Sequence, residues 1–229
     1  MKYLLLIGIL LTPFIISAQI IGAVINDADG YTNIREKASI KSSIVGTLKE
    51  SDIFDYNGDD WYNDSLWIAI HLNSSFTQSR NAKGKSGYIH RSRLKPIERI
   101  TDEVQIDTLK KSSVTFKNDS IYIEIKTVGI SYEEAVELSG GNILGVDQGV
   151  GDPRCRIYDI EVKINDQIVE VPKNSFKDLY NINLDKVSVK TWKSQLIIVM
   201  SNGSYSGFYE ASWIFKENKF LNRFLCFGP

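Results

Sequence analysis

The sequence predicts an all-β protein in two parts: a small barrel, then an antiparallel β-sandwich-like domain. Three observations predict it. Apolar and polar residues alternate through most of the chain. Short turn signals rich in Asn, Asp and Gly separate those runs. Helical patterning is confined to "YEEAVEL" (132–138), started by Ser131 and ended by Gly140-Gly141, and a shorter "NSFKDLYNI" (174–182).

The first residues bear on compartment. "MKYLLLIGILLTPFIISAQ" places Lys2 before an apolar run from Tyr3 to Ile16, then Ser17-Ala18. That is the layout of a secretory signal peptide, residues 1–18, cut after Ala18. The run is shorter than the ~20 residues a membrane-spanning helix needs, so an uncut anchor is the lesser reading. No later stretch is apolar enough to cross. The expectation is a periplasmic or secreted chain with no membrane span after signal cleavage. A composition of 43% hydrophobic and 24% charged residues is that of an ordinary globular protein. A net charge of −1 lacks the concentrated basic surface that nucleic-acid binding requires.

Residues 20–97 read as the first domain. "TNIRE" is a strand with Ile34 inward and Asn33 and Arg35 outward, and "KASIKSS" is a polar loop. "IVGTLKESDIFDY" is two strands around a polar break. "LWIAIHL" (66–72) and "GKSGYIHRSRLKPI" (84–97) complete five short strands, which suits a small barrel. Residues 98–111 read as a connector after Pro96.

Four motifs stand in order in this region: Asn33-Ile34-Arg35, Val45-Gly46-Thr47-Leu48, Trp67-Ile68-Ala69-Ile70 and Gly87-Tyr88-Ile89-His90. In this, about a third of the chain resembles the bacterial SH3 (SH3b) domain family. The resemblance implies an SH3-like barrel and a non-catalytic module that recognises cell-wall peptide or an envelope protein. Two segments, 57–66 and 71–83, are longer than tight turns need. Long loops on a rigid scaffold are where binding specificity commonly sits.

Aromatic side chains supply the candidate ligand contacts: Tyr31, Tyr56, Trp61, Tyr62 and Phe76. Trp61 and Tyr62 lie in a polar loop and are the preferred surface contacts; a Trp folded back over the barrel is the alternative. Trp67 and Tyr88 occupy regular strand positions and are expected in the core. Asp55, Asn57 and Asp59 are spaced like the first ligands of a calcium loop, but Gly falls at the fourth place and Leu66 at the twelfth. A polar hairpin turn is therefore expected. Two His and two Cys lack the close pairing of a zinc site. No cofactor is implied.

Residues 112–229 read as the β-sandwich. Four hairpins are expected at 113–128, 158–172, 187–203 and 208–227, with tips at Asn118-Asp119, Asn165-Asp166, Lys193-Ser194 and Glu217-Asn218. Leu196, Ile198 and Met200 share one face of a strand that carries Ile197 and Val199 on the other, so that strand is expected to be central. Cys155 and Cys226 are either a disulfide, as an exported chain permits, or two buried thiols.

The expected function is an exported, non-catalytic binding protein of the cell envelope. One rival is a hydrolase with a carboxylate site around Asp147 and Asp152. The other is a periplasmic inhibitor or structural partner. No histidine follows Cys155, which speaks against a Cys–His nucleophile there.

Overall fold

The computed structural model of the chain describes residues 21–71, 86–139, 143–146, 152–203 and 207–227. The expected signal peptide and Phe76 lie outside the described residues. The protein is all-β, with three antiparallel sheets.

The first sheet comprises β1 (Ile21–Ile25), β2 (Tyr31–Arg35), β3 (Ile44–Lys49), β4 (Ile53–Tyr56), β5 (Trp67–His71), β6 (Ser86–His90) and β7 (Leu94–Pro96). A short helix, α1 (Gly58–Tyr62), joins β4 to β5. Strand order is β3-β2-β6-β5-β4-β1-β7. Two strands exceed the five expected. β1 is "IGAVI", a run with no alternation, because both its faces are buried. Ala23 and Ile25 enter the first core with Ile34, Phe54, Ile68 and Ile89. Val24 points the other way, into a cluster shared with the second half of the chain. Gly87 of the "GYIH" motif has a steric reason. A Cβ there would lie 2.6 Å from the Arg35 carbonyl oxygen, so only glycine lets β6 cross β2 so closely.

The second half begins earlier than expected. Residues 98–111 hold β8 (Glu103–Val104) and β9 (Ile106–Lys110). Then come β10 (Ser113–Lys117), β11 (Ile121–Gly129), helix α2 (Tyr132–Ser139), β12 (Cys155–Ile164) and β13 (Gln167–Val169). Four strands follow: β14 (Val187–Trp192), β15 (Gln195–Asn202), β16 (Tyr209–Lys216) and β17 (Lys219–Phe227). One sheet runs β13-β12-β11-β10-β9, the other β17-β16-β15-β14-β8. Their inner faces share one core, in which Phe116, Ile123, Ile125 and Val162 meet Leu196, Ile198, Met200 and Trp213. This is a β-sandwich.

Local chemistry explains the connections. Asn165 and Asp166, like Glu217 and Asn218, adopt positive φ at the expected tips, as two-residue hairpins matching strand twist require. At α2 the Ser131 hydroxyl accepts from the Glu134 N–H at 3.3 Å, and the Glu134 carboxylate accepts from the Ser131 N–H at 3.0 Å. That reciprocal cap starts the helix where expected.

The sheet β17-β16-β15-β14-β8 is the middle layer. Its outer face, through Ile197, Val199, Ile214 and Phe224, packs on Val24, Ile53, Ile97 and Ile100 of the first half. The two-faced apolar pattern of β15 marks a central strand for this reason.

Candidate functional site

A groove of about 340 Å³ opens on the first half of the chain. Its origin is a splay in the first sheet. β2 and β6 pair at one register position, Arg35 with Tyr88. Beyond it, Tyr31 and Asn33 on β2 face the segment from His90 to Arg93 across a gap. Alternation along β2 buries Thr32 and Ile34 and turns Tyr31, Asn33 and Arg35 into the groove.

Trp67 and His90 form the opposite wall. They are register partners on β5 and β6, and their rings meet edge-on at 5.4 Å and 89°. His90 is held by the turn that follows it. Its Nδ1 accepts from the Ser92 N–H at 3.3 Å and lies 2.8 Å from the Ser92 hydroxyl. The end wall is electrostatic. The Arg93 guanidinium pairs with the nearly buried Asp27 carboxylate at 2.5 Å, and the Asp29 N–H donates to that carboxylate at 3.2 Å. Arg35 donates to the Ser42 carbonyl at 2.7 Å, which ties it to the 36–43 loop. The site thus presents two aromatic faces and both signs of charge.

Of the five ligand contacts expected from sequence, the four that are described do not line one site. Tyr31 lines the groove and is 48% exposed. Tyr62 is exposed elsewhere, with its hydroxyl donating to Glu98 at 3.4 Å. Of the two places expected for Trp61, the folded-back one is found: it is 9% exposed and belongs to the first core. The 55–64 stretch is not an open turn, because Asn57 caps α1 by accepting from the Asp59 N–H at 3.0 Å, and α1 carries Trp61 inward. There Trp61 meets Tyr56 edge-on at 6.0 Å, beneath the Arg91 guanidinium at 4.0 Å. Tyr56 is buried too, and burial pushes its phenol above the ordinary tyrosine range. Phe76 lies outside the described residues.

Trp67, expected in the core, is half-buried and forms a groove wall. Asp27, Arg35, His90 and Arg93 line the groove as well, beyond the aromatic contacts expected from sequence. The outward assignment of Asn33 and Arg35 was the available signal.

The remaining candidates separate. Cys155 and Cys226 are not in a disulfide. They sit in different sheets, on β12 and β17; the Cys155 thiol donates to the Ile182 carbonyl at 3.6 Å. Burial pushes both thiols up, and the nearby Asp55 and Glu210 carboxylates push Cys226 further. Asp147 lies outside the described residues, and Asp152 is exposed. Among the described residues, no group of three or more His, Cys, Asp and Glu could hold a metal ion. Among them, too, no helix is long and apolar enough to cross a membrane. Comparison with protein-family models, with curated proteins and with solved structures finds no match for this chain.

Proposed function

We propose that the protein is an exported, non-catalytic binding protein of the cell envelope. Its first half is a bacterial SH3-like module, and the groove takes a short extended segment of cell-wall peptide or of an envelope protein. One observation carries this reading. Asn33, Arg35, Trp67 and His90, residues on which the family resemblance rests, meet in one groove with Tyr31. Their chemistry suits such a segment. Tyr31 and Trp67 offer flat apolar contact at low entropic cost. Arg35 and Arg93 suit carboxylates, and Asp29, exposed at the rim, suits an amine.

The test is retention of the full chain by purified peptidoglycan. Wild type is expected to be retained. Tyr31→Ala and Trp67→Ala each weaken retention about tenfold, and Tyr62→Ala leaves it unchanged. Failure of wild type to be retained would overturn the cell-wall form. The envelope-protein form then requires one stoichiometric co-purifying protein that both groove variants lose. Binding indifferent to Tyr31 and Trp67 removes the groove from either form.

A further inference from the structure

The loop between β1 and β2 carries Asp27 and Asp29 and leads into Tyr31. Within it the Gly30 N–H reaches the Asp27 carbonyl at a long 3.4 Å and the Asp29 N–H the Asp27 carboxylate at 3.2 Å; the Asn26 N–H reaches out to the Arg93 carbonyl at 2.8 Å. Loops with so few internal bonds sit at the low end of local stability unless something else holds them. Here Arg93 holds it from the first half and the sandwich from the second. Lys193, at the β14–β15 tip, donates from Nζ to the Asp27 carbonyl at 3.0 Å. That residue's carboxylate is the one that fixes Arg93 in the groove wall.

A second contact chain reaches the same loop. Lys216, at the end of β16, pairs with the Glu50 carboxylate at 2.7 Å, and the Gln195 amide donates to the Glu50 carbonyl. The Glu50 N–H donates in turn to the Gly30 carbonyl at 3.0 Å. Gly30, at φ +74°, is the turn residue before Tyr31. Both partners of the Lys216–Glu50 pair are partly exposed, at 27% and 20% side-chain exposure, so solvent screens it somewhat less than a fully open surface pair. Two hairpin tips of the sandwich therefore converge on two adjoining turns of the groove module.

We propose that Lys193 and Lys216 are positioning residues for the groove: the sandwich holds the 26–30 loop and Glu50, and through them Asp27, Arg93 and Tyr31, in the geometry that receives ligand. The proposal rests on the groove being the recognition site. Ordering these groups before the ligand arrives removes part of the entropic cost of binding. The sandwich is thus a structural component of the site, and recognition depends on the two halves staying together.

The test uses the full chain with Lys193→Met, Lys216→Met and the double substitution. Amide hydrogen exchange is read at Asp29, Gly30 and Glu50, and retention on purified peptidoglycan in parallel. In the double variant, exchange at those three amides rises about tenfold while Ile123 and Ile125 in the sandwich core are unchanged. Retention falls about fivefold, and Lys193→Arg behaves as wild type. Unchanged exchange at Asp29, Gly30 and Glu50 overturns the proposal. So does faster exchange with undiminished retention. If wild-type protein is not retained at all, the cell-wall reading falls, and the exchange result alone decides whether the sandwich orders the loop.

Discussion

The two faces of the middle sheet are built from the same strands and differ in kind. Its inner face is mainly apolar, and its two large aromatic polar groups are bonded: Trp213 Nε1 donates to the Ser175 carbonyl at 3.0 Å and the Tyr209 hydroxyl to the Tyr180 carbonyl at 2.9 Å, while Asn202 Nδ2 is the buried group there without a partner among the described residues. Its outer face mixes Ile197, Val199, Ile214 and Phe224 with Glu210, Ser212, Asn222 and Cys226, against Asp55 of the first half. Ser212 Oγ, Asn222 Oδ1 and Asp55 Oδ1 are buried there without a hydrogen-bond partner among the described residues. The inner face resembles a domain core, the outer one a contact between separable partners. One sheet can therefore anchor a fold on one side and hold an adjustable neighbour on the other.

The largest effect expected from that contrast is at Trp213. Trp213→Ala opens a cavity in the sandwich core and removes one of two donors to the Ser175 carbonyl, leaving Arg223 Nη1 at 3.2 Å, and costs about 3–5 kcal/mol in urea unfolding. Phe224→Ala on the outer face is expected to cost less than this range, because two packed modules can shift to close the gap. Equal costs for the two would break the comparison.

An intermediate effect is set by pH. Burial pushes the Asp55 carboxyl up to about 7; the Cys226 thiol, donating to it, opposes this, and the Glu210 charge adds to it. Glu210 is raised by burial against its bond from the Ser201 hydroxyl. His71 stands opposite Asp55 in the strand register. An acid raised in the folded state is protonated there when its unfolded counterpart, near pH 4, is already ionised. Its contribution is complete below about pH 4 and declines as pH rises to about 7, by at most about 1.4 kcal/mol per unit. Urea midpoints at pH 5 and pH 8 are expected to differ in this direction for wild type and to converge in Asp55→Asn. An unchanged pH dependence in that variant would show that Asp55 is not the group responsible.

What could be read from sequence was local. The tips at Asn165-Asp166 and Glu217-Asn218 follow from turn chemistry, and the cap at Ser131 and Glu134 from a three-residue spacing. The two-faced pattern of β15 was also legible, although what covers its outer face was not. The groove was not legible, because Tyr31, Trp67 and Arg93 meet only once β2 and β6 splay. Trp61 took the folded-back alternative and Trp67 left the expected core, each for its own local reason. A polar loop folded into a capped helix and took Trp61 inside, and a regular strand position at the sheet's opening left Trp67 half-exposed. β1 was missed because burial on both faces erases alternation.

The smallest effect has the opposite sign to the first and sharpens the contrast most. Ser212 is 1% exposed on the outer face, paired in register with Phe224 and Val199. Its hydroxyl gives up water on burial and finds no partner among the described residues. Removing such a group costs nothing in hydrogen bonding and relieves a desolvation penalty, so Ser212→Ala is expected to leave stability unchanged or raise it by up to about 1 kcal/mol. The same hydroxyl-to-methyl logic does not extend to Ser175, in the turn that packs on the inner face, where the hydroxyl is bonded. Urea unfolding of Ser212→Ala beside Ser175→Ala separates the cases: Ser175 Oγ donates to the Pro172 carbonyl at 2.7 Å, and its loss is expected to cost about 1 kcal/mol. A clear loss of stability in Ser212→Ala would mean that its hydroxyl is bonded in solution and would remove Ser212 from the contrast between the two faces.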